Sequence, residues 1–138
     1  MLRVVIDTNV LVAALRSKQG ASFALLQRVG TGRFVHAVTV PLVMEYEDVL
    51  LRPAMVPVSA AAVQAVIDHL CATGIEQAVH FLWRPLLPDP KDDMVLEAAA
   101  GAGCSRIITF NTRDFAAASA LGIAAVKPRE FLKLLESV

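Results

Sequence analysis

The chain has 138 residues with 13 basic and 13 acidic side chains, so its formal charge is zero and no whole-molecule field steers it toward nucleic acid. Hydrophobic residues make up 56% and aromatic ones only 6%, which suits a buried parallel sheet and argues against a wide base-stacking platform. No apolar run approaches the roughly 18 residues of a membrane span, and Arg3 and Asp7 come too early for a signal peptide, so a soluble cytoplasmic protein is expected.

At this length one domain over residues 1–138 is expected. Leu2 to Ile6 reads as an apolar strand interrupted only by Arg3, Val10 to Leu15 as a short helix, and Ala21 to Val29 as a second helix stopped by Gly30. Phe34 to Val38 is the next strand. Thr39 can cap a helix that Pro41 begins and that runs to about Leu51, after which Pro53 and Pro57 mark a loop. Ser59 caps a helix to about Ala72, Gly74 ends it, and a short strand is expected through Val79, Phe81 and Trp83. Beyond the loop LLPDPKDD, an Ala-rich helix spans Asp92 to Ala102 and Gly103 ends it. A strand at Arg106 to Phe110, a short helix at Phe115 to Leu121, a strand at Ala124 to Val126 and a helix at Pro128 to Leu135 complete the chain.

Strands separated by helices pair in parallel through right-handed crossovers, which predicts an α/β fold, a three-layer α/β/α sandwich with a central, mainly parallel sheet. In such sheets the functional crevice lies outside the carboxyl ends of the strands, where Asp7 and the stretch Asn111 to Asp114 both fall.

Each acid has a bland explanation beside a chemical one. Asp7 can cap the helix after the first strand. Glu45 lies at the margin of the apolar stripe Leu42, Tyr46, Val49 and Leu50, where a carboxylate must be paired with an arginine, protonated or bound to a metal. Asp89, Asp92 and Asp93 put three negative charges within five residues, and a helix start explains Asp92 or Asp93 but not all three. Asp114 can cap the short helix behind it, and Asn111 offers a neutral oxygen for a ligand, a water or a cap. Together they change the balance, because two unit charges at about 4 Å cost roughly 4 kcal/mol even at an effective dielectric of 20. Converging carboxylates without suitable Cys or His call for Mg²⁺ or Mn²⁺, and phosphodiester hydrolysis is the natural chemistry. Cys71 and Cys104 lack metal-binding spacing and are expected to be buried free thiols. His36, His69 and His80 are equally without such spacing and are expected to be structural or surface histidines.

In order and spacing these segments resemble the PIN-domain family, the metal-dependent ribonucleases that include VapC-type toxins of toxin-antitoxin pairs. VVIDTNVLVAAL is similar to the family's opening motif, with Asp7 as first acid and Asn9 as its polar companion. VPLVMEYEDVLLRP is similar to the second and places the second acid at Glu45. DPKDDMVLEAAAGAGCSRIITFNTRDF resembles the third and fourth run together, with Asp93 as third acid, Thr109 as the threonine before the fourth position, and Asn111 where VapC-type proteins often carry aspartate. The resemblance implies a Mg²⁺- or Mn²⁺-dependent endoribonuclease in which Asp7, Glu45, Asp93 and Asp114 surround the metal, while Asn9, Thr109 and Asn111 orient water or ligands. It also implies an RNA substrate, a homodimer and a cognate antitoxin, with the helices between Pro41 and Ala72 available as a partner surface. Asn111 leaves a second reading open, a PIN-like module that binds RNA or antitoxin without cutting. Arg16, Lys18, Lys91 and Arg113 flank the acidic positions and are candidates for phosphate contacts.

Overall fold

The computed structural model describes residues 1–78 and 87–137. Its strands are β1 (Arg3–Ile6), β2 (Val35–Val38), β3 (Ile75–Glu76), β4 (Arg106–Ile108) and β5 (Ala124–Val126). The helices are α1 (Thr8–Arg16), α2 (Ala21–Arg28), α3 (Val40–Leu50), α4 (Ala60–Thr73), α5 (Pro90–Gly101) and α6 (Pro128–Glu136), with a 3-10 helix at Thr112–Leu121 between β4 and β5.

All neighbouring strands pair in parallel in the order β3-β2-β1-β4-β5, with Val4 opposite both His36 and Arg106 and Ile6 opposite Ile108. Successive strand residues face opposite sides of a sheet, and Val4, Val5 and Ile6 are all buried, so helices cover both faces of β1. This is the expected α/β/α sandwich with a parallel sheet. From β1 the chain moves to β2, whereas from β4 it moves to β5 on the other side, so the connectivity diverges between β1 and β4. Open parallel sheets form their crevice at such a divergence.

Sequence-local chemistry fixes several boundaries. Thr39 Oγ1 accepts from Leu42 N at 3.2 Å and Ser59 Oγ from Ala62 N at 3.1 Å, the two caps expected for α3 and α4. Leu42, Tyr46 and Leu50 form the buried stripe of α3. Phe34 meets Phe131 edge to face with ring centroids 5.2 Å apart, which fastens α6 beside the start of β2.

Other elements depart from expectation. The expected strand through Val79, Phe81 and Trp83 lies outside the described residues, as does His80, and β3 is found at Ile75–Glu76, directly after Gly74 ends α4. The segment after β4 is a 3-10 helix rather than an α-helix. Phe115 adopts non-helical φ −106° and ψ 17°, which splits ten residues into pieces too short to propagate α-helix, and Gly122 closes it at φ 75°. Cys104 is buried as expected, but Cys71 is exposed because α4 turns Val63, Ile67 and Leu70 inward and Cys71 outward. No helix among the described residues is long and apolar enough to cross a membrane.

Candidate metal centre

Asp7 takes the capping role the sequence allows and accepts one further hydrogen bond. It is the N-cap of α1, where its Oδ1 accepts from Thr8 N at 2.8 Å, and its Oδ2 accepts from the Thr109 hydroxyl at 2.8 Å. Thr109 follows β4, so this bond ties together the carboxyl ends of the two strands between which the connectivity diverges. The same hydroxyl oxygen accepts from Asn111 N at 3.0 Å and from Asn9 Nδ2 at 3.4 Å, while Asn9 Oδ1 accepts from Phe110 N at 3.4 Å. Asp7, Asn9, Thr109 and Asn111 therefore form one hydrogen-bonded unit. Tyr46 reinforces it from α3 by donating its buried hydroxyl to the carbonyl of Ile6, the residue before Asp7.

A cleft of about 610 Å³ opens in front of this unit, and Asp7, Asn9, Glu45, Asp89, Asp92 and Asn111 are among its lining residues. Glu45 reaches it from α3 because one helical step separates it from the buried Tyr46. Among the described residues no arginine is paired with Glu45. Asp89, rather than Asp92 or Asp93, caps α5, with Oδ1 accepting from Lys91 N at 2.9 Å; Asp92 and Asp93 stand in its first turn.

The two neighbouring acids go to different places. Asp93 is 1% exposed, is not a lining residue of the cleft, and its Oδ1 accepts from Leu87 N at 3.1 Å. Asp92 lines the cleft. Asp114 is half-buried in the first turn of the 3-10 helix and does not line the cleft, yet its charge is felt by both Asp7 and Asp92. Of the four flanking cations, Arg16 and Lys91 line the cleft, and Arg16 is fastened by its Nε to the carbonyl of Met55 at 2.9 Å. Sequence reasoning gave no site role to Thr8, whose Oγ1 is buried in the cleft wall without a hydrogen-bond partner among the described residues.

Electrostatics mark the cleft as short of positive charge. Burial pushes the Asp7 carboxyl up; the bonds from Thr109 and Thr8 counter this, and the charges of Glu45 and Asp114 add to it. Asp92 is pushed up to about 6, first by burial and then by Asp7, Asp89, Asp114 and Asp93. The donor chemistry, all oxygen with an unsatisfied hydroxyl in the wall and carboxylates raising one another's proton affinity, fits a hard divalent cation. Among the described residues, no three His, Cys, Asp or Glu side chains are gathered closely enough to hold an ion.

Comparison with known proteins agrees with this architecture. The chain is similar to VapBC2 from Rickettsia felis bound to a DNA fragment from its promoter, with a TM-score of 0.59 and 11% identity over 91% of this chain and 98% of that one. It is similar to FitAB bound to an IR36 DNA fragment, with a TM-score of 0.59 and 16% identity over 91% of this chain and 94% of that one. At these identities the likeness is one of fold. No curated protein sequence matches. The profile of the PIN domain matches residues 3–113, from the first residue of β1 through the Asp7–Thr109 unit and past Asn111, and the chain belongs to the PIN-domain family.

Proposed function

We propose that this chain is a divalent-cation-dependent endoribonuclease and the toxin of a toxin-antitoxin pair. The observation that carries the reading is the Asp7–Thr109 bond at the end of the sheet, facing a cleft that also receives Glu45 and Asp92. Asp7, Glu45 and Asp92 would have to draw together to hold Mg²⁺ or Mn²⁺, with Asp114 adding negative charge, and the cation when bound would polarise the scissile phosphodiester and neutralise its developing charge. Thr109 fixes the orientation of Asp7. Asn9 and Asn111 line the cleft, where their amides would meet a water or a phosphate oxygen, and Arg16 and Lys91 would supply cationic contacts for the flanking phosphates. Asp93 orders the chain before α5 through Leu87 rather than facing the substrate. The reaction is hydrolysis, in which water adds to phosphorus as a P–O bond of the RNA breaks.

Partners follow from the same reading. The two solved relatives are described as VapBC2 and FitAB, each bound to DNA, which supports a cognate antitoxin for this chain. Val40, Met44 and Leu51 leave apolar side chains exposed along α3, in support of a homodimer or antitoxin contact on the helices after Pro41.

The test is cleavage of a labelled single-stranded RNA with Mn²⁺, with and without chelator. Wild type should cut only with the cation, and Asp7→Asn should lose at least about 100-fold in rate while folding normally. Equal cation-dependent cutting by both proteins would end the proposal. A second reading, a PIN module that binds without cutting, draws on Asn111 at the fourth position and on the absence of a gathered three-ligand cluster among the described residues. Calorimetry separates the two: wild type that takes up no Mn²⁺ at millimolar concentration favours the binding module.

A further inference from the structure

Beside the acidic cleft, and sharing Ala13 and Ser17 with it, runs a second groove of about 500 Å³ whose chemistry is the opposite. Two helices begin there. Gly20, Ala21 and Ser22 open α2, and Lys127 and Arg129 open α6. Neither N-cap, Gly20 or Lys127, makes a side-chain cap hydrogen bond, so the first-turn N–H groups of both helices lack the usual internal acceptor and carry the positive end of the helix dipole. An independent observation points to a ligand: Ser22 is 3% exposed, lines this groove, and its Oγ has no hydrogen-bond partner among the described residues. A buried hydroxyl left unpaired costs free energy that an acceptor in the groove would recover. Among the described residues neither Lys127 nor Arg129 has an ion-pair or side-chain hydrogen-bond partner. Phe110 completes the lining, 43% exposed at the end of β4 and one residue before Asn111 of the acidic cleft. Glu130 is the one carboxylate there.

We infer that this groove seats the nucleotide next to the reacting one: a phosphate between the α2 N-terminus, Ser22 Oγ, Lys127 and Arg129, and its base stacked on Phe110. The inference rests on the ribonuclease reading and names the path of the strand, from the acidic cleft past Ala13 and Ser17 to the start of α6. The unit recognised is one phosphate and one π-face, so it is read without regard to base identity. Glu130 opposes the phosphate and sets an upper limit on affinity.

The test uses the full chain carrying Asp7→Asn, to prevent cleavage, and a fluorescent five-nucleotide oligouridylate followed by anisotropy at several salt concentrations. Lys127→Gln with Arg129→Gln should weaken binding about tenfold and lower the salt slope by about 0.7, the value for one phosphate on a single strand. Phe110→Ala should weaken it roughly 5- to 100-fold at every salt concentration. Glu130→Gln should tighten binding, which a merely structural role would not produce, and Arg52→Gln on the distant α3–α4 loop should change nothing. Amide NMR shifts of Ser22 and Phe23 should move on titration with the same oligonucleotide. In an otherwise wild-type chain the double variant should raise KM with little effect on kcat. If wild type cuts RNA and the double and Phe110 variants bind like their parent, the groove is not the path and the nuclease reading survives. If wild type neither binds nor cuts RNA, both fall.

Discussion

Thr109 and Asp7 share a 2.8 Å hydrogen bond in which every capacity of the hydroxyl is used: one proton given to Oδ2 of Asp7, and two lone pairs accepting from Asn111 N and Asn9 Nδ2. The hydroxyl is buried, so removing it takes a partner from three groups at once and leaves Asp7 Oδ2 without its donor. Thr109→Val, which keeps the shape, should cost about 1–3 kcal/mol in urea unfolding and push the Asp7 carboxyl higher, since this bond is the largest influence holding it down. Thr109→Ser should restore most of both. A valine variant with wild-type stability and activity would show that the bond does not organise the cleft.

Asp92 and Asp93 are adjacent, yet Asp92 lines the cleft while Asp93 accepts from Leu87 N, and paired substitutions test which of them serves a metal. Asp93→Ala leaves the buried N–H of Leu87 without its acceptor and should cost about 1–3 kcal/mol of stability. Asp92→Ala removes a cleft carboxylate and a first-turn helix charge, so its stability should stay within about 1 kcal/mol of wild type while Mn²⁺ affinity measured by calorimetry falls at least tenfold. The opposite pattern would put Asp93 at the metal, as the family resemblance suggested.

Tyr46 links the second acid to the first. Its hydroxyl bonds the carbonyl of Ile6, and its neighbour Glu45 faces the cleft, so α3 is held against the end of β1 by the residue next to the one it presents. Tyr46→Phe should cost about 1–2 kcal/mol by thermal or urea unfolding. RNA cleavage should fall mainly in kcat, because the placement of Glu45 is loosened and its charge retained. An unchanged kcat would mean that Glu45 needs no such support.

What the sequence made legible was set by local physics. The strand into Asp7, the Thr39 and Ser59 caps and the stripe Leu42, Tyr46, Leu50 follow from periodicity and capping within a few residues. Which of Asp92 and Asp93 lines the cleft was not legible, because about 100° of helix rotation separates adjacent residues and the register depends on Asp89 taking the cap of α5. Nor could periodicity place β3, only two residues long, or detect the 3-10 segment, whose Ala-rich sequence suits an α-helix that the kink at Phe115 prevents. The groove at Ser22 and Lys127 joins residues a hundred positions apart, and only the packing of α2 against α6 reveals it.

His36 and Asp92 contribute to stability with opposite signs between pH 4 and 6.5. His36 is buried against Thr73, and burial followed by the nearby His69 charge lowers its imidazole to about 4 from an ordinary 6.5. The unfolded chain therefore takes up a proton before the folded one does, so stability present above pH 6.5 is lost as the pH falls toward 4, by about 3 kcal/mol in full. Asp92 runs the other way: its folded carboxyl sits at about 6 against 3.8, so the folded state binds the proton first and gains stability as the pH falls from 6 toward 3.8. The two contributions offset each other in wild type. Asp92→Asn removes the second and relieves the cleft of repulsion, so urea unfolding should find it more stable than wild type at pH 7.5, with the advantage shrinking steadily down to pH 4.5. Parallel pH profiles for the two proteins would show that neither burial nor the charges of Asp7 and Asp89 raise the Asp92 carboxyl, and with that the electrostatic case for a cation in the cleft would fail.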